Sequence, residues 1–379
     1  MVKLGNVCTV VSGTTPKSNH LEYWDGNINW VTPAELKDDS DIIFESQRKI
    51  TEKAVADTSM KSFPAGTVLL SSRAPIGKVA IAGVEMYCNQ GFKNLICSEA
   101  IYNRYLYHYL KSKTDYLNSL GRGATFKEIS KNIVESIEIP LPPINEQRKI
   151  AAVLDKVSDL IAKRRQQLDK LDELVKSRFI EMFGGIHDSK LYPYAAIGSF
   201  TTVLSGGTPD RKVDNYWRNG NVRWVKTAEL QNCVITDTEE RITQEGMDNS
   251  SAKKVPVGSV LIAMYGQGKT RGMTGYLAVE CTTNQACACI LPTPKINQTF
   301  LWQYMILSYD KLRNMAKGGN QPNLNIGIIK SFPVLLPPMA LQEQFAVFVT
   351  KTDKSKFAIQ KSLEKLEILK KALMQKYFG

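Results

Sequence analysis

The sequence predicts an α+β fold in which two similar mixed α/β domains are separated by two long antiparallel coiled-coil helices, with pseudo-two-fold symmetry. Three observations predict this fold: a long internal repeat, a change from strand-like to helical patterning in each half, and proline-rich junctions at that change. The repeat pairs residues 12–16 with 205–209, Tyr23-Trp24 with Tyr216-Trp217, Trp30-Val31 with Trp224-Val225, residues 34–36 with 228–230, Gly66 with Gly258, Asn89-Gln90 with Asn284-Gln285, and Pro142-Pro143 with Pro337-Pro338.

The repeat divides the 379 residues into four parts. We predict a first domain at 1–143, a central helix at 144–184, a second domain at 185–338 and a C-terminal helix at 339–379. In the first domain, short β-branched runs such as 66–70 and 79–81 alternate with turn residues, and 102–119 has helical spacing of apolar residues. Prolines 140, 142 and 143 end this domain, because proline is excluded from helix interiors and central strands.

Each predicted helix has a stripe of residues at alternating four- and three-residue steps, which is typical of a helix that packs along a partner helix. The stripes comprise Ile150, Leu154, Val157, Ile161, Arg164, Leu168, Leu171, Val175, Arg178 and Met182, and Phe345, Val349, Thr352, Lys356, Ile359, Leu363, Leu366, Lys370, Leu373 and Tyr377. A helix of about 40 residues is roughly 60 Å long. Since charged residues interrupt both stripes, each helix alone is marginal, and an antiparallel pair is the simplest arrangement.

The two helix junctions carry similar motifs with different spacing. Glu146-Gln147 follows Pro142-Pro143, and Glu343-Gln344 follows Pro337-Pro338. If these Glu-Gln pairs are equivalent, the second junction is two residues longer than the first. The pairing therefore puts the symmetry of the two junctions in question.

Composition and charge favour a globular protein with a polyanionic partner. The formal net charge is +12, and 43% of the residues are hydrophobic. No apolar run approaches the ~20 residues that span a bilayer, and the N-terminus lacks a signal-peptide pattern, so we predict a cytoplasmic protein without membrane association. The seven cysteines are odd in number and mostly isolated, which indicates reduced thiols.

Loops in both halves carry hydroxyl, amide and cationic side chains, which suit contacts to phosphates and base edges. The candidate DNA-binding residues of the first half are Thr14, Thr15, Lys17, Ser71, Ser72, Arg73, Lys78, Asn89, Gln90, Arg122 and Lys127. Those of the second half are Thr208, Arg211, Lys212, Tyr265, Gln267, Lys269, Thr270, Arg271, Asn284, Gln285, Lys317, Asn320 and Gln321.

Each of these loops also has a purely structural interpretation. The Ser-Gly-x-Thr-Pro and glycine-rich loops could be ordinary turns, and the Asn-Gln amides could satisfy backbone groups of their own loops. The repeated tryptophans could stack on bases, but core packing is favoured at their strand-like spacing.

The search for catalytic and metal sites is negative. Three histidines are present, and none has cysteines at zinc-binding spacing. Residues 263–270 fit a relaxed Walker A pattern, but strand-like residues follow where a P-loop requires a helix. Two alternatives therefore stay open beside a DNA-binding protein: an NTPase that uses 263–270, and a non-catalytic coiled-coil scaffold or adaptor whose globular ends bind protein.

The tandem order of the motifs resembles that of the specificity subunits of type I restriction–modification systems, across essentially the whole chain. The resemblance rests on Ser-Gly-x-Thr-Pro, Tyr-Trp, the Asn-Gln pair, the Pro-Pro junction with Glu-Gln, and a long helix ending in Phe-Gly, each present twice. It implies two target recognition domains, each of which reads one half of a bipartite site in double-stranded DNA. The two helices would measure the unread spacer between the half-sites.

The resemblance also implies partners. Two modification (methyltransferase) subunits would dock on the helices and supply S-adenosylmethionine-dependent adenine methylation, and two restriction/motor subunits can join to give ATP- and Mg²⁺-dependent restriction. The chain itself would be a non-catalytic subunit with no cofactor of its own.

Overall fold

The computed structural model describes residues 1–37, 40–123, 127–266, 268–316 and 322–379. The chain divides into two compact units. The first unit comprises Met1–Arg165 and Lys361–Gly379, and the second comprises Gln166–Gln360. Each unit therefore contains one predicted domain together with a part of both long helices.

The first domain is built from short strands and helices that form two sheets and a strand pair. Its strands are β1 (Val2–Lys3), β2 (Cys8–Ser12), β3 (Trp24–Val31), β4 (Ile42–Ile43), β5 (Lys49–Ile50), β6 (Val68–Leu70), β7 (Val79–Ala82), β8 (Tyr87–Cys88), β9 (Lys93–Cys97) and β10 (Glu138–Ile139). Its helices are α1 (Glu52–Thr58), α2 (Asn103–Ser112), α3 (Thr114–Leu120) and α4 (Lys131–Ser136), and α5 (Ile144–Phe183) is the first long helix. The strand orders are β2-β9-β6-β7-β4, β5-β3-β8 and β1-β10.

The second domain repeats this arrangement. Its strands are β11 (Tyr194–Ala196), β12 (Val203–Ser205), β13 (Val222–Val225), β14 (Cys233–Ile235), β15 (Glu240–Ile242), β16 (Val260–Ala263), β17 (Thr274–Leu277), β18 (Thr282–Thr283), β19 (Cys287–Ile290) and β20 (Pro333–Leu335). Its helices are α6 (Ile197–Phe200), α7 (Gln244–Asp248), α8 (Gln298–Leu307), α9 (Tyr309–Asn314) and α10 (Ile326–Ser331), and α11 (Met339–Phe378) is the second long helix.

The strand orders of the second domain are β12-β19-β16-β17-β14, β15-β13-β18 and β11-β20, which match those of the first domain strand for strand. The parallel pairs also recur: β4 with β7 and β3 with β8 correspond to β14 with β17 and β13 with β18. The predicted duplication of a mixed α/β domain is thereby confirmed.

The helix predicted at 102–119 is two helices, α2 and α3. The break lies at Lys113, whose φ of −107° and ψ of 19° leave the helical region. The hydroxyls of Ser112 and Thr114 donate to the carbonyls of Tyr109 and Lys111, at 2.7 and 3.1 Å, and so compete with a continuing helix. The second domain breaks at Ser308, whose hydroxyl donates to the carbonyl of Tyr304 at 2.7 Å.

A buried glutamine fixes the start of the first long helix. The side-chain oxygen of Gln147 accepts a hydrogen bond from the amide of Tyr102 at 2.8 Å. Its side-chain nitrogen donates to the carbonyls of Ala100 and Pro142, at 3.0 and 2.8 Å. The side chain is fully buried, so it needs hydrogen-bond partners within the protein, and backbone groups of the domain provide them. These bonds attach the start of the helix to the domain.

In the second domain the same role belongs to Gln342. It accepts a hydrogen bond from the amide of Asn297 at 2.9 Å and donates to the carbonyl of Pro337 at 2.7 Å. Gln147 and Gln342 each lie five residues after the proline that they contact. The pairing of Glu146-Gln147 with Glu343-Gln344 is therefore wrong, and the second junction is not longer than the first.

Within each unit, the two long helices contact each other. In the first unit, Leu154 shares a hydrophobic cluster with Phe378, and Arg165 Nη2 lies 2.7 Å from Glu367 Oε1. The corresponding contacts of the second unit are a cluster that includes Phe179 and Phe345, and a distance of 2.5 Å between Lys356 Nζ and Asp172 Oδ1. All of the predicted stripe residues on both helices are buried or half-buried.

The long helices and the cysteines bear on the predictions about membranes and disulfides. Among the residues that the structure describes, no helix is long and apolar enough to cross a membrane. All seven cysteines are free, and five of them are buried. The prediction that the cysteines do not form a disulfide framework is confirmed.

Candidate nucleic-acid interface

Tryptophan side chains hold the two Ser-Gly-x-Thr-Pro loops in place. In the first domain, the indole nitrogens of Trp30 and Trp24 donate to the carbonyls of Thr14 and Lys17, at 3.0 and 3.3 Å. In the second domain, the indoles of Trp224 and Trp217 donate to the carbonyls of Gly207 and Asp210, at 2.9 and 3.1 Å. Trp24, Trp30 and Trp224 are buried, so the core interpretation of these three residues is confirmed.

The glycine of each loop allows its backbone to lie against a neighbouring strand end. A Cβ atom at Gly13 would overlap the carbonyl oxygens of Cys88 and Asn89, and one at Gly206 would overlap the carbonyl oxygen of Thr283. The neighbouring amides bond to the same strand ends, Thr14 to Cys88 at 2.9 Å and Gly207 to Thr283 at 2.8 Å. Each loop is thus fixed beside the Asn-Gln segment of its own domain.

This packing joins two motifs that lie far apart in the sequence. The hydroxyl of Thr15 donates to the side-chain oxygen of Gln90, and the hydroxyl of Thr208 donates to that of Gln285. Both glutamines are exposed, and neither side-chain nitrogen has a hydrogen-bond partner within the described part of the chain. Each domain therefore presents a threonine–glutamine pair whose amide can donate to a phosphate or a base edge.

The two asparagines of the Asn-Gln segments have a structural role instead. Asn89 and Asn284 are half-buried, and their side-chain oxygens accept hydrogen bonds from the amides of Gly91 and Ala286, at 2.9 and 3.2 Å. The structural interpretation, in which a side-chain amide satisfies a backbone group of its own loop, therefore applies to the asparagine of each Asn-Gln segment.

Two of the candidates in the first domain are buried. Ser71 donates to the carbonyl of Pro75 at 2.7 Å and accepts from the amide of Lys78 at 2.9 Å, and Ser72 is also fully buried. Neither hydroxyl can reach a ligand in this conformation, since both lie at the base of the loop and not at its tip. We therefore remove Ser71 and Ser72 from the proposed DNA contacts.

An ion cluster connects the loop that contains Arg73 to the glycine-rich segment. Glu128 accepts from Arg73 Nε at 2.8 Å and from Lys93 Nζ at 3.1 Å, and its backbone exchanges two 3.0 Å hydrogen bonds with Arg122. Burial opposes ionisation of Glu128, but the hydrogen bonds from Lys93 and Arg73 lower the pKa of this carboxyl below its usual value. Sequence reasoning missed Lys93 and Glu128, because neither belongs to a repeated motif.

The loops of the first domain form one neighbourhood. The amide of Ser72 donates to the carbonyl of Gly91 at 2.7 Å, and the carbonyl of Ser72 accepts from the amide of Ile129 at 2.9 Å. The loop at 71–78 thus lies between the segment of Gln90 and the segment of Arg122. Arg122 and Lys127 are exposed, whereas Lys78 is half-buried and donates to the carbonyl of Leu36 at 2.6 Å.

The second domain has the same backbone links around Met264. Its amide donates to the carbonyl of Ala286 at 2.8 Å, and its carbonyl accepts from the amide of Leu324 at 3.0 Å. Tyr265 and Lys269 are exposed, Thr270 is half-buried, and the Arg271 guanidinium donates to a backbone carbonyl, that of Pro322. Four candidates, Gln267, Lys317, Asn320 and Gln321, lie outside the described residues.

The segment that fits a Walker A pattern has no P-loop architecture. Ala263 is the last residue of β16, and the chain returns in β17, which is antiparallel to β16. No helix follows Thr270 that could offer its N-terminus to a phosphate. In the described part of the chain, no group of three or more His, Cys, Asp or Glu residues could hold a metal ion.

The chain carries two matches to one protein family. Residues 1–173 and 192–370 each match the family described as Type I restriction modification DNA specificity domain. The chain belongs to this family. It is thus a type I restriction–modification specificity subunit with two copies of the DNA specificity domain, and the resemblance stated from the motifs is confirmed.

Relatives support this assignment over the full length. The chain is 29% identical, over 396 residues, to the type I restriction enzyme MjaIX specificity subunit of Methanocaldococcus jannaschii, which covers 99% of this chain and 91% of that one. It is 32% identical over 183 residues to the EcoR124I/EcoR124II specificity subunit of Escherichia coli, covering 46% and 45% of the two chains. The type I S subunit of M. genitalium has a similar fold, with a TM-score of 0.60 at 15% identity, covering 100% of this chain and 95% of that one.

Proposed function

We propose that this specificity subunit binds double-stranded DNA, and that its two domains, at 1–143 and 185–338, each read one half of a bipartite site. The observation that carries this proposal is the threonine–glutamine pair, which recurs in both domains on a loop fixed by tryptophans. The same strand order supports each pair, so two related surfaces are available for two half-sites. The net charge of +12 suits a DNA partner.

The proposed DNA-contacting side chains are the exposed or half-exposed candidates. They are Thr14, Thr15, Lys17, Arg73, Gln90, Arg122, Lys127, Thr208, Lys212, Tyr265, Lys269, Thr270 and Gln285. Four half-buried candidates are left out because their side chains bond to backbone groups, namely Lys78, Asn89, Asn284 and Arg271. Arg211 is left out because Glu240 pairs with it. Hydroxyl and cationic groups in this set suit phosphate contacts, and the two glutamines and Tyr265 suit base edges.

We also propose that α5 and α11 form an antiparallel, pseudo-symmetric coiled coil that sets the spacer between the half-sites. The helices have 40 residues each, and their stripe residues are buried or half-buried. Gln147 and Gln342 give both helices the same starting register. Interhelical ion pairs such as Arg165 with Glu367 would help to define the pairing.

The helices are further proposed to dock two modification subunits. Apolar side chains remain exposed on both helices, and such residues are typical of surfaces that a partner protein covers. In the first unit they are Val153, Leu160, Ile368 and Leu369, and in the second unit Leu174, Ile180, Val347 and Phe357. In this proposal S-adenosylmethionine, ATP and Mg²⁺ belong to the modification subunits and to two restriction/motor subunits, and the chain itself is non-catalytic.

DNA binding by the full-length chain tests the proposal against a scaffold that binds only protein. We expect the logarithm of the affinity for a mixed-sequence duplex to fall linearly with the logarithm of the salt concentration. The reason is that lysine and arginine side chains that bind phosphates release the counterions of the DNA. The measurement is fluorescence anisotropy between about 50 and 200 mM salt. A slope near zero would favour the scaffold, and ATP turnover by the isolated chain would favour the NTPase.

A further inference from the structure

The two domains differ in charge beside their threonine–glutamine pairs. The indoles of Trp24 and Trp217 donate to equivalent carbonyls, which belong to Lys17 in the first domain and to Asp210 in the second. The first domain therefore has a cation where the second has a carboxylate. Lys17 is exposed and has no ion pair within the described residues.

A second exchange of charge lies where the chain enters the strands that pair with β3 and β13, namely β5 in the first domain and β15 in the second. The amides of Gln47 and Glu239 donate to equivalent carboxylate oxygens, those of Glu35 at 2.7 Å and Glu229 at 3.1 Å. The next residue along the chain is Arg48 in the first domain and Glu240 in the second. Arg48 thus corresponds to Glu240, and again a cation replaces a carboxylate.

Arg48 is held by stacking. Its Cζ lies 3.7 Å from the centroid of the Trp24 ring and 5.8 Å from that of Trp30. The side chain is exposed, and it has no carboxylate partner in the part of the chain that the structure describes. Because stacking uses only the face of the guanidinium, its N–H groups stay available at the edge, in an orientation that is already fixed.

In the second domain an arginine from another part of the chain occupies the same tryptophan pair. Arg211 Cζ lies 3.6 Å from the Trp217 ring centroid and 4.8 Å from that of Trp224. This guanidinium is paired, however, because its Nη1 lies 2.5 Å from Glu240 Oε2.

A further cation shares the carboxylates around Arg211. Lys226 Nζ lies 2.9 Å from Glu239 Oε2 and 2.9 Å from Glu240 Oε1. These hydrogen bonds raise the pKa of Lys226 to about 12. The cations beside the tryptophans of the second domain are thus neutralised by carboxylates of the same domain.

We propose that Arg48, together with Lys17 on the loop that Trp24 holds, is a binding site for a DNA phosphate that the second domain lacks. This inference deepens the proposed function and rests on it. A stacked guanidinium can donate two parallel hydrogen bonds to a phosphate, and fixing its orientation in advance lowers the entropic cost of binding. Thr15 lies on the loop that the same tryptophans hold, and its hydroxyl donates to Gln90, so the phosphate contact would position this pair for reading the half-site of the first domain.

The test uses the full-length chain and a mixed-sequence duplex. For Arg48→Gln we expect affinity to fall about tenfold, the effect of losing a hydrogen-bonded charge, and the magnitude of the salt slope to fall by about 1. Arg48→Lys keeps the charge but loses the bidentate geometry, so we expect it to keep the slope and recover part of the affinity. Circular dichroism and thermal melting verify that each variant is folded like the wild type.

Two matched control variants each remove one cation. The first cation lies outside the proposed site, and the second is already paired with a carboxylate. Lys3 is exposed and lies across from Glu138 in the β1–β10 pair, and Arg211 is neutralised by Glu240. We expect Lys3→Gln and Arg211→Gln to leave the slope unchanged. A wild-type slope and affinity for Arg48→Gln, or equal losses for Arg48→Gln and Arg211→Gln, would overturn the inference while the proposed function stands. Absence of salt-dependent binding by the wild type would instead overturn the proposed function.

Discussion

Replacing residues 1–143 with the corresponding domain of another family member is expected to change one half of the recognised DNA sequence and to leave the other half unchanged. The reason is that each domain has its own sheets and its own threonine–glutamine pair. The measurement is a genome-wide map of methylated adenines in cells that express the chimera with the native modification subunits.

The chimera can be interpreted only if the grafted domain keeps the contacts of the first domain with α5. Gln147 bonds only to backbone groups of the first domain, so a donor domain with the same fold can satisfy it. Asp155 is different, because it lies 3.1 Å from Arg104 Nε and 2.6 Å from His108 Nε2. A donor without these two side chains would leave a half-buried carboxylate unpaired, so the graft should retain Arg104 and His108.

The reciprocal exchange is the control. Replacing residues 185–338 should change the other half of the site and preserve the half that the first domain reads. If either exchange alters both halves, or if neither alters any, the division of the site between the domains is contradicted.

Substituting Phe179 by alanine is expected to lower the free energy of unfolding of the second unit by about 3–5 kcal/mol. Phe179 is fully buried, and its ring centroid lies 4.8 Å from that of Phe183 and 5.4 Å from that of Phe345. Removing the ring leaves a cavity where α5, α11 and the second domain meet. Denaturant unfolding of the full-length chain, followed by circular dichroism, measures the change.

The neighbouring Ile180 is the matched control. It lies on the same helix but is 42% exposed, so Ile180→Ala should change stability by about 0.5 kcal/mol or less in either direction. Equal effects of Phe179→Ala and Ile180→Ala would contradict the assignment of this cluster as the joint between helix and domain.

Much of the fold could be predicted because the periodic spacing of apolar residues indicates which side chains are buried. The heptad stripes predicted which residues of α5 and α11 are covered, and the strand-like spacing of Trp24, Trp30 and Trp224 predicted core packing. These signals are local, since periodicity along an element determines which face is buried.

Contacts between distant segments could not be predicted in this way. Thr15 meets Gln90 across 75 residues, and Arg48 stacks on Trp24, because sheet packing brings these segments together. Ser71 carried the right functional group for a DNA contact, but the fold uses its hydroxyl to close a turn. The sequence Glu343-Gln344 is identical to Glu146-Gln147, which suggested that Gln344 corresponds to Gln147. The spacing from the prolines instead makes Gln342 the counterpart of Gln147.

The most direct test of the central claim is to map adenine methylation in the native cells with and without this gene. We predict a methylated motif made of two short specific sequences separated by a spacer of fixed length and no fixed sequence, and we predict that deletion of the gene abolishes methylation of this motif. A methylation pattern that is unchanged by the deletion, or a lost motif that is continuous and not bipartite, would contradict the account.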